Sequence, residues 1–93
     1  MNYFALKYKV AENYLEERAK YRAEHLQLAK DYHEKGILIL AGAMENPADE
    51  ALLIFKCDSE AEVKYFVEND PYVENKLVLD WEIRKWNVVI GNQ

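Results

Sequence analysis

Residues 37–57, ILILAGAMENPADEALLIFKC, contain the pair of strands that decides the fold of this chain. Two short apolar runs, residues 37–43 and residues 51–57, are separated by the turn-forming stretch 45–49, so they are predicted to pair as a β-hairpin. Each run is apolar at neighbouring positions as well as at alternate ones. Both faces of the sheet must therefore be covered by other parts of the protein.

The residues before the hairpin predict a strand and then a long helix. Residues 2–10 place apolar side chains at alternate positions, which is typical of a strand with one buried face. These side chains are Phe4, Leu6, Tyr8 and Val10. Residues 11–35 contain no Gly or Pro and are rich in Ala, Leu, Glu, Lys and Arg, so they predict one helix that Gly36 ends.

The residues after the hairpin predict a second helix and a last strand. Ser59 and Glu62 have the spacing of a capping box, so Ser59 is expected to begin a helix. A short turn or helix follows it, and then a strand over about residues 77–90. The apolar side chains of this strand change from odd to even positions after Ile83. A bulge near residues 84–85 would explain the change, and so would a strand that continues along a partner subunit.

The predicted order of elements, β-α-β-β-α-β, is that of a ferredoxin-like α+β domain, and residues 1–93 form one such domain. Two helices can cover only one face of the sheet. The other face, with Tyr3, Ala5 and part of the hairpin, needs a further surface. A second copy of the chain is the simplest supply, so we expect a homodimer.

The composition of the chain limits which partners it can bind and in which compartment it is expected. The net charge of −5 argues against nucleic acid or an anionic membrane as the main partner, because both require a basic face. The first ten residues are too polar for a signal peptide, and the longest apolar run, residues 37–43, is too short to span a bilayer. The single cysteine, Cys57, excludes a disulfide within the chain. We expect a cytoplasmic protein.

Three charged or titratable side chains lie on the apolar side of the first predicted helix. With a turn of about 100° per residue, Arg18, Arg22 and His25 fall among the apolar positions. An arginine cannot lose its charge when it is buried, so these residues need either an acidic partner or a cleft. One interpretation is that the arginine stems cross the sheet to reach an acid at its edge. The other is an anion-binding cleft with His25 as the titrating group.

A metal site is not expected on this helix. His33 follows His25 by eight residues, which is a rise of about 12 Å and too far for both to bind one metal ion. No third ligand stands out in the sequence. His33 is expected to act as a favourable charge near the end of the helix.

Asp70 extends the apolar stripe of the second helix by one turn. Because Pro71 follows it, Asp70 is typical of an N-cap with proline at the first helical position. The alternative is a carboxylate directed at His25, where it would fix the tautomer of the imidazole and raise its basicity. Tyr72 could add a phenolic donor to this site or could belong to the core.

Four short motifs and a closing apolar strand together resemble one family. The motifs are RAEHL at residues 22–26, Gly36, Ala41-Gly42 and DPYV at residues 70–73. Over nearly its whole length the chain resembles the YciI-like (YCII-related) proteins. The resemblance implies a dimeric α/β-barrel with ferredoxin-like subunits. It also implies a catalytic His–Asp pair in a cleft, on His25 and Asp70, with Arg22 beside it; Arg18 is added from the helical wheel alone.

The resemblance also implies a class of reaction. The family is similar to muconolactone isomerases, and a few members are dehydrochlorinases of chlorinated hydroxyquinols. Both chemistries move a proton next to a carbonyl or enol without a metal or cofactor. We therefore expect a lyase or isomerase acting on a small oxygenated anion, a lactone or a hydroxylated or chlorinated aromatic, bound by Arg22, Arg18 and Tyr72. The alternatives are a ligand-binding or regulatory module without turnover and a haem-binding monooxygenase relative.

Overall fold

A computed structural model describes residues 1–91 of the chain. The strands are β1 (Asn2–Val10), β2 (Leu38–Ala43), β3 (Glu50–Cys57) and β4 (Val78–Trp86). The helices are α1 (Tyr14–Glu17), α2 (Arg22–Glu34), α3 (Glu60–Asn69) and α4 (Pro71–Glu74), with a 3₁₀ turn over Arg18–Lys20 between α1 and α2. The predicted βαββαβ order is confirmed.

The four strands form one antiparallel sheet in the order β2-β3-β1-β4. At its centre Leu6 of β1 pairs with Leu53 of β3 on one side and with Ile83 of β4 on the other. Leu6 and Leu53 are buried with Val63, Phe66 and Val67 of α3 in a single core. The sheet thus has its helices on the face that carries Leu6, which is the ferredoxin-like α+β arrangement.

The first helical region is broken, so the prediction of one helix over residues 11–35 is wrong. Tyr21 has φ −118° and ψ 0°, outside the helical range, and it separates the 3₁₀ turn from α2. No Gly or Pro marks the break, and the broken geometry allows a tertiary contact that one straight helix would not allow. The rings of Tyr14 and His25 lie 5.7 and 3.8 Å from the ring of Tyr72. An unbroken α-helix would separate residues 14 and 25 by about 16 Å along its axis.

Helix α3 begins and ends where the sequence predicts. The Ser59 hydroxyl accepts a hydrogen bond from the Ala61 amide, and the Glu62 carboxylate accepts one from the Ser59 amide, which completes the capping box. The helix stops at Asn69 because Pro71 disfavours helical torsions in the residue before it, and Asp70 is extended at φ −79° and ψ 118°. Asp70 is thereby fixed between α3 and α4.

The bulge of β4 lies at Leu79, and the predicted bulge near residues 84–85 is absent from this strand. Lys9 pairs with Asp80 and Val10 with Val78, so Leu79 has no partner on β1. From Asp80 to Trp86 the pairing with β1 is continuous. The strand ends at Trp86, short of the predicted residue 90.

The sheet face opposite the helices carries several apolar side chains. Ile54 pairs with Ala5 and with Leu40 on this face and is only 6% exposed, whereas Leu40 is 65% exposed. Leu52 and Trp86 lie on the same face and are also exposed. We call this surface, defined by Leu40, Leu52, Ile54 and Trp86, the open face. None of the helices within residues 1–91 is long and apolar enough to cross a membrane.

Candidate active site

A cavity of about 200 Å³ lies between the first helical region and the sheet. It contains four of the five residues that the sequence singled out, namely Arg18, Arg22, His25 and Tyr72. The remaining wall comes from the sheet, from Tyr14 and from Leu26. The sheet contributes Tyr8, Val10, Ala41, Gly42, Ala43, Ala51 and Leu53. Ala41 and Gly42, one of the motifs noted in the sequence, line this cavity, and the space beside Gly42 is open.

Asp70 lies next to this cavity, fully buried and bonded to His25. Its Oδ1 atom is 2.8 Å from His25 Nδ1, so the predicted hydrogen bond is present. The same oxygen accepts a hydrogen bond of 3.0 Å from the Tyr72 amide, and Oδ2 accepts one of 2.8 Å from the Tyr8 hydroxyl. Asp70 therefore caps α4 and contacts His25 at once, so both predicted placements of this carboxylate are present.

The partners of Asp70 determine the tautomer of His25. The Tyr72 amide and the Tyr8 hydroxyl both donate to the carboxylate, and an ionised carboxylate only accepts hydrogen bonds. His25 Nδ1 therefore donates as well and carries the ring proton. In neutral His25 this leaves a lone pair on Nε2. The side chain is 16% exposed, so this imidazole is partly accessible where it lines the cavity.

Tyr72 holds the face of the His25 ring. The two rings are stacked with their centroids 3.8 Å apart and their planes 7° apart. Burial raises the pKa of the Tyr72 phenol, Tyr14 raises it further, and Arg22 and Arg18 lower it. The net increase keeps this phenol protonated at neutral pH. Tyr72 is both buried in the core and part of the cavity wall, and its role as a phenolic donor stays a prediction.

Arg18 and Arg22 give the cavity its charge. Neither guanidinium forms an ion pair with an acidic side chain in the part of the chain that the structure describes. The interpretation that they reach an acid at the sheet edge is therefore wrong. Arg18 lies 5.5 Å from the centre of the Tyr14 ring. Because none of the described lining residues is acidic, the cavity is cationic although the whole chain has a net charge of −5.

Tyr8, like Tyr14, is a residue of this site that the sequence did not single out. The strand pattern places it among Phe4, Leu6 and Val10 on the buried face, where it is the one side chain with a polar atom. A buried tyrosine usually bonds its hydroxyl to a partner, and that partner is Asp70. Burial, and then the Asp70 charge, raises the pKa of Tyr8. The polar side chain on an otherwise apolar face was the available indication.

His33 has a structural contact of its own. Its Nδ1 atom lies 2.7 Å from the Leu38 carbonyl oxygen, which can only accept, so Nδ1 donates and ties the end of α2 to the start of β2. His33 lies in the last turn of α2 as predicted. Within residues 1–91, no three His, Cys, Asp or Glu side chains lie close enough together to hold one metal ion.

A ferredoxin-like α+β domain with a His–Asp pair beside a cationic cavity defines the class of protein. The family model of the YCII-related domain matches residues 1–87. The chain therefore belongs to the YCII-related family. No curated protein matches it by sequence.

Several solved structures have the same fold as this chain. One is the 5-chloro-2-hydroxyhydroquinone dehydrochlorinase TftG from Burkholderia phenoliruptrix, in complex with 2,5-dihydroxybenzoquinone. It has a TM-score of 0.79 and 23% identity over 98% of this chain and 99% of that one. A protein from Agrobacterium tumefaciens has a TM-score of 0.64 and 18% identity over 98% and 96%. A NIPSNAP family protein from the same organism has a TM-score of 0.61 and 14% identity over 97% of this chain and 87% of that one. At these identities the likeness concerns the fold.

Proposed function

We propose that this protein is a lyase or isomerase that moves a proton on a small oxygenated anion, with His25 and Asp70 as its acid–base pair. The observation that carries the proposal is the hydrogen bond of 2.8 Å between His25 Nδ1 and the fully buried Asp70. It leaves Nε2 of His25 as the nitrogen that can exchange a proton with a ligand in the cavity.

The proposed step begins with removal of a proton next to a carbonyl. His25 Nε2 takes the proton, and the electrons of the broken C–H bond form an enolate whose charge rests on oxygen. Asp70 stabilises the imidazolium, and Arg18 and Arg22 stabilise the enolate oxygen. Two outcomes follow. The enolate expels an anionic leaving group and His25 passes its proton to water, or the imidazolium returns the proton to a different carbon.

The size and charge of the cavity support a one-ring anion as the ligand. A volume of about 200 Å³ is below the usual range of sites for drug-sized molecules. Two arginines without an ion-pair partner among residues 1–91 favour an anion, and their planar guanidinium groups suit carboxylate or enolate oxygens. TftG, which has the same fold, is named for a chlorinated hydroxyquinol and holds a dihydroxybenzoquinone. We propose lactones and hydroxylated or chlorinated aromatics as the substrate class.

A binding module without turnover is the second candidate, and the two cavity arginines, which form no ion pair within the described part of the chain, are the observation that favours it. Arg18 and Arg22 hold an anion whether or not His25 moves a proton.

Haem is a poor fit, because a cavity of about 200 Å³ is too small for a macrocycle of that size.

We propose that the protein works as a homodimer through its open face. Leu40, Leu52 and Trp86 are exposed there, and a second sheet packed on this face would cover them as in a dimeric α/β-barrel.

We also propose that the protein is located in the cytoplasm. The observation behind this proposal is the free thiol of Cys57, since unpaired thiols are usual in reducing compartments.

The test compares His25→Ala with His33→Ala, which removes the other histidine of the same helix. Each variant is incubated in deuterated buffer with a panel of lactones and chlorinated hydroxyquinols. Proton exchange is followed by nuclear magnetic resonance and chloride release by ion chromatography. His25→Ala should abolish both reactions while His33→Ala retains them. A fully active His25→Ala would refute the acid–base role. Anion binding without any exchange by the parent would establish the binding module.

A further inference from the structure

Three buried tyrosines line the cavity, and their hydroxyl groups differ in one respect. The hydroxyl of Tyr8 is bonded to Asp70. The hydroxyls of Tyr14 and Tyr72 have no hydrogen-bond partner among the residues that the structure describes, although the two side chains are only 6% and 2% exposed. Buried tyrosine hydroxyls usually have a partner. Two hydroxyls without a partner among residues 1–91, in one small cavity, therefore offer two hydrogen-bond donors to a ligand.

The two hydroxyls are open to the cavity. In the described chain, no fully buried side-chain nitrogen or oxygen lacks a hydrogen-bond partner. The unpaired oxygens of Tyr14 and Tyr72 are therefore accessible, and both residues line the cavity. Their rings meet edge to face at 5.7 Å. The break at Tyr21 creates this pair, because it lets α1 place Tyr14 against Tyr72 while α2 places His25 there.

Each of the two hydroxyls can donate a hydrogen bond to a ligand oxygen. Burial and the nearby Tyr14 raise the pKa of Tyr72, so the Tyr72 phenol keeps its proton at neutral pH. The Arg18 guanidinium lies beside the Tyr14 ring. A ligand oxygen between the two phenols would thus receive neutral hydrogen bonds next to two positive charges. A second oxygen on an anionic ring fits this position.

We propose that Tyr14, paired with Tyr72, is a specificity-determining residue that selects ring anions carrying hydroxyl or keto oxygens in addition to the charged group. The proposal rests on the proposed function only in using the same cavity for the ligand. It concerns binding and needs no turnover. Tyr14 lies outside the RAEHL and DPYV motifs, in the segment that precedes them.

The test measures binding of two probes, 3,4-dihydroxybenzoate and benzoate, by calorimetry. Both are ring anions of similar size, and they differ in the two hydroxyl groups. The parent protein should bind the dihydroxylated probe more tightly than benzoate. Tyr14→Phe should reduce this preference by about 3-fold to 10-fold, the loss expected for one neutral hydrogen bond. Its affinity for benzoate should not change.

A matched control is Tyr32→Phe, which removes a hydroxyl from a tyrosine packed on Phe55 and Phe66 away from the cavity. This variant should keep the parent preference. Equal affinity of the parent for the two probes, or an unchanged preference in Tyr14→Phe, would overturn the proposal. The calorimetric measurement needs no turnover, so a failure of the acid–base mechanism is distinguishable from a failure of the phenol pair.

Discussion

The imidazole ring of His25 lies flat against the phenol ring of Tyr72, with centroids 3.8 Å apart and an angle of 7° between the planes. Asp70 holds the same imidazole at Nδ1 and also caps the backbone amide of Tyr72. The Asp70-Pro71-Tyr72 turn therefore fixes His25 in two ways, through its edge and through its face. Pro71 occupies the first position of α4, with Asp70 before it and Tyr72 after it. Both of these neighbours contact His25.

Asp70→Asn should lower kcat by about 10²-fold to 10⁴-fold, the usual range for acid–base assistance. The substitution keeps the size of the side chain and a carbonyl oxygen for the Tyr72 amide. It removes the negative charge that selects the Nδ1–H tautomer of His25 and stabilises its charged form. Steady-state kinetics on a substrate that the parent turns over measure the effect.

The control for this variant is Asp31→Asn, which changes an exposed carboxylate on α2 that accepts a hydrogen bond from Gln27. It should leave kcat unchanged. Melting temperatures recorded alongside separate lost chemistry from lost structure. If folded Asp70→Asn turns over as fast as the parent, Asp70 is a helix cap and nothing more.

Arg22→Lys should mainly weaken the binding of an anionic substrate. Lysine keeps the charge but loses the planar pair of donors that matches a carboxylate or enolate. We expect KM to rise more than kcat falls, and Arg18→Lys to act in the same direction. Arg84→Lys, on the sheet face opposite the helices, is the control and should change neither constant. Equal KM values for the parent and both cavity variants would argue against the anion clamp.

Much of this site could be predicted from the sequence, because it depends on helical periodicity. Arg18, Arg22 and His25 occupy apolar positions of a helical wheel, and Asp70 continues the stripe of α3. The break at Tyr21 could not be predicted, since no Gly or Pro marks it and the contacts that accompany it involve the distant Tyr72. The Tyr8–Asp70 bond joins residues 62 positions apart. Strand alternation buries Tyr8 without saying which polar group it meets.

The parent protein should have twice the mass of one chain when measured by light scattering at micromolar concentration. Leu40→Glu should shift it towards the monomer, because Leu40 is exposed on the open face and a buried carboxylate there is unfavourable. Tyr65→Glu introduces the same charge at an exposed apolar position of α3, away from the sheet, and should remain dimeric. A monomeric parent protein would exclude the homodimer.

Tyr8→Phe should lower stability by about 1–3 kcal/mol, because Oδ2 of Asp70 would lose its donor while remaining buried. It should also move the pH profile of kcat, since the Tyr8 hydroxyl is one of three donors to the carboxylate that holds His25. Urea unfolding at pH 7 and a profile of kcat against pH measure the two effects. A stability loss with an unmoved profile would make Tyr8 a structural residue only.

The free energy of unfolding at alkaline pH gives a second test of the environment of Tyr8. Burial and Asp70 raise its pKa above the ordinary value of about 10, so the folded state keeps the proton that the unfolded chain releases. The contribution of this group to stability is complete below about pH 10 and declines as the pH rises further. Its slope approaches about 1.4 kcal/mol per pH unit. Tyr8→Phe should make the decline of the unfolding free energy with pH shallower by the contribution of one proton, as measured by urea unfolding between pH 9 and about 11. Tyr65→Phe, which changes an exposed phenol, should leave it intact. An identical slope in the parent and Tyr8→Phe would mean that Tyr8 ionises in the folded protein as readily as in the unfolded chain, which its bond to Asp70 contradicts.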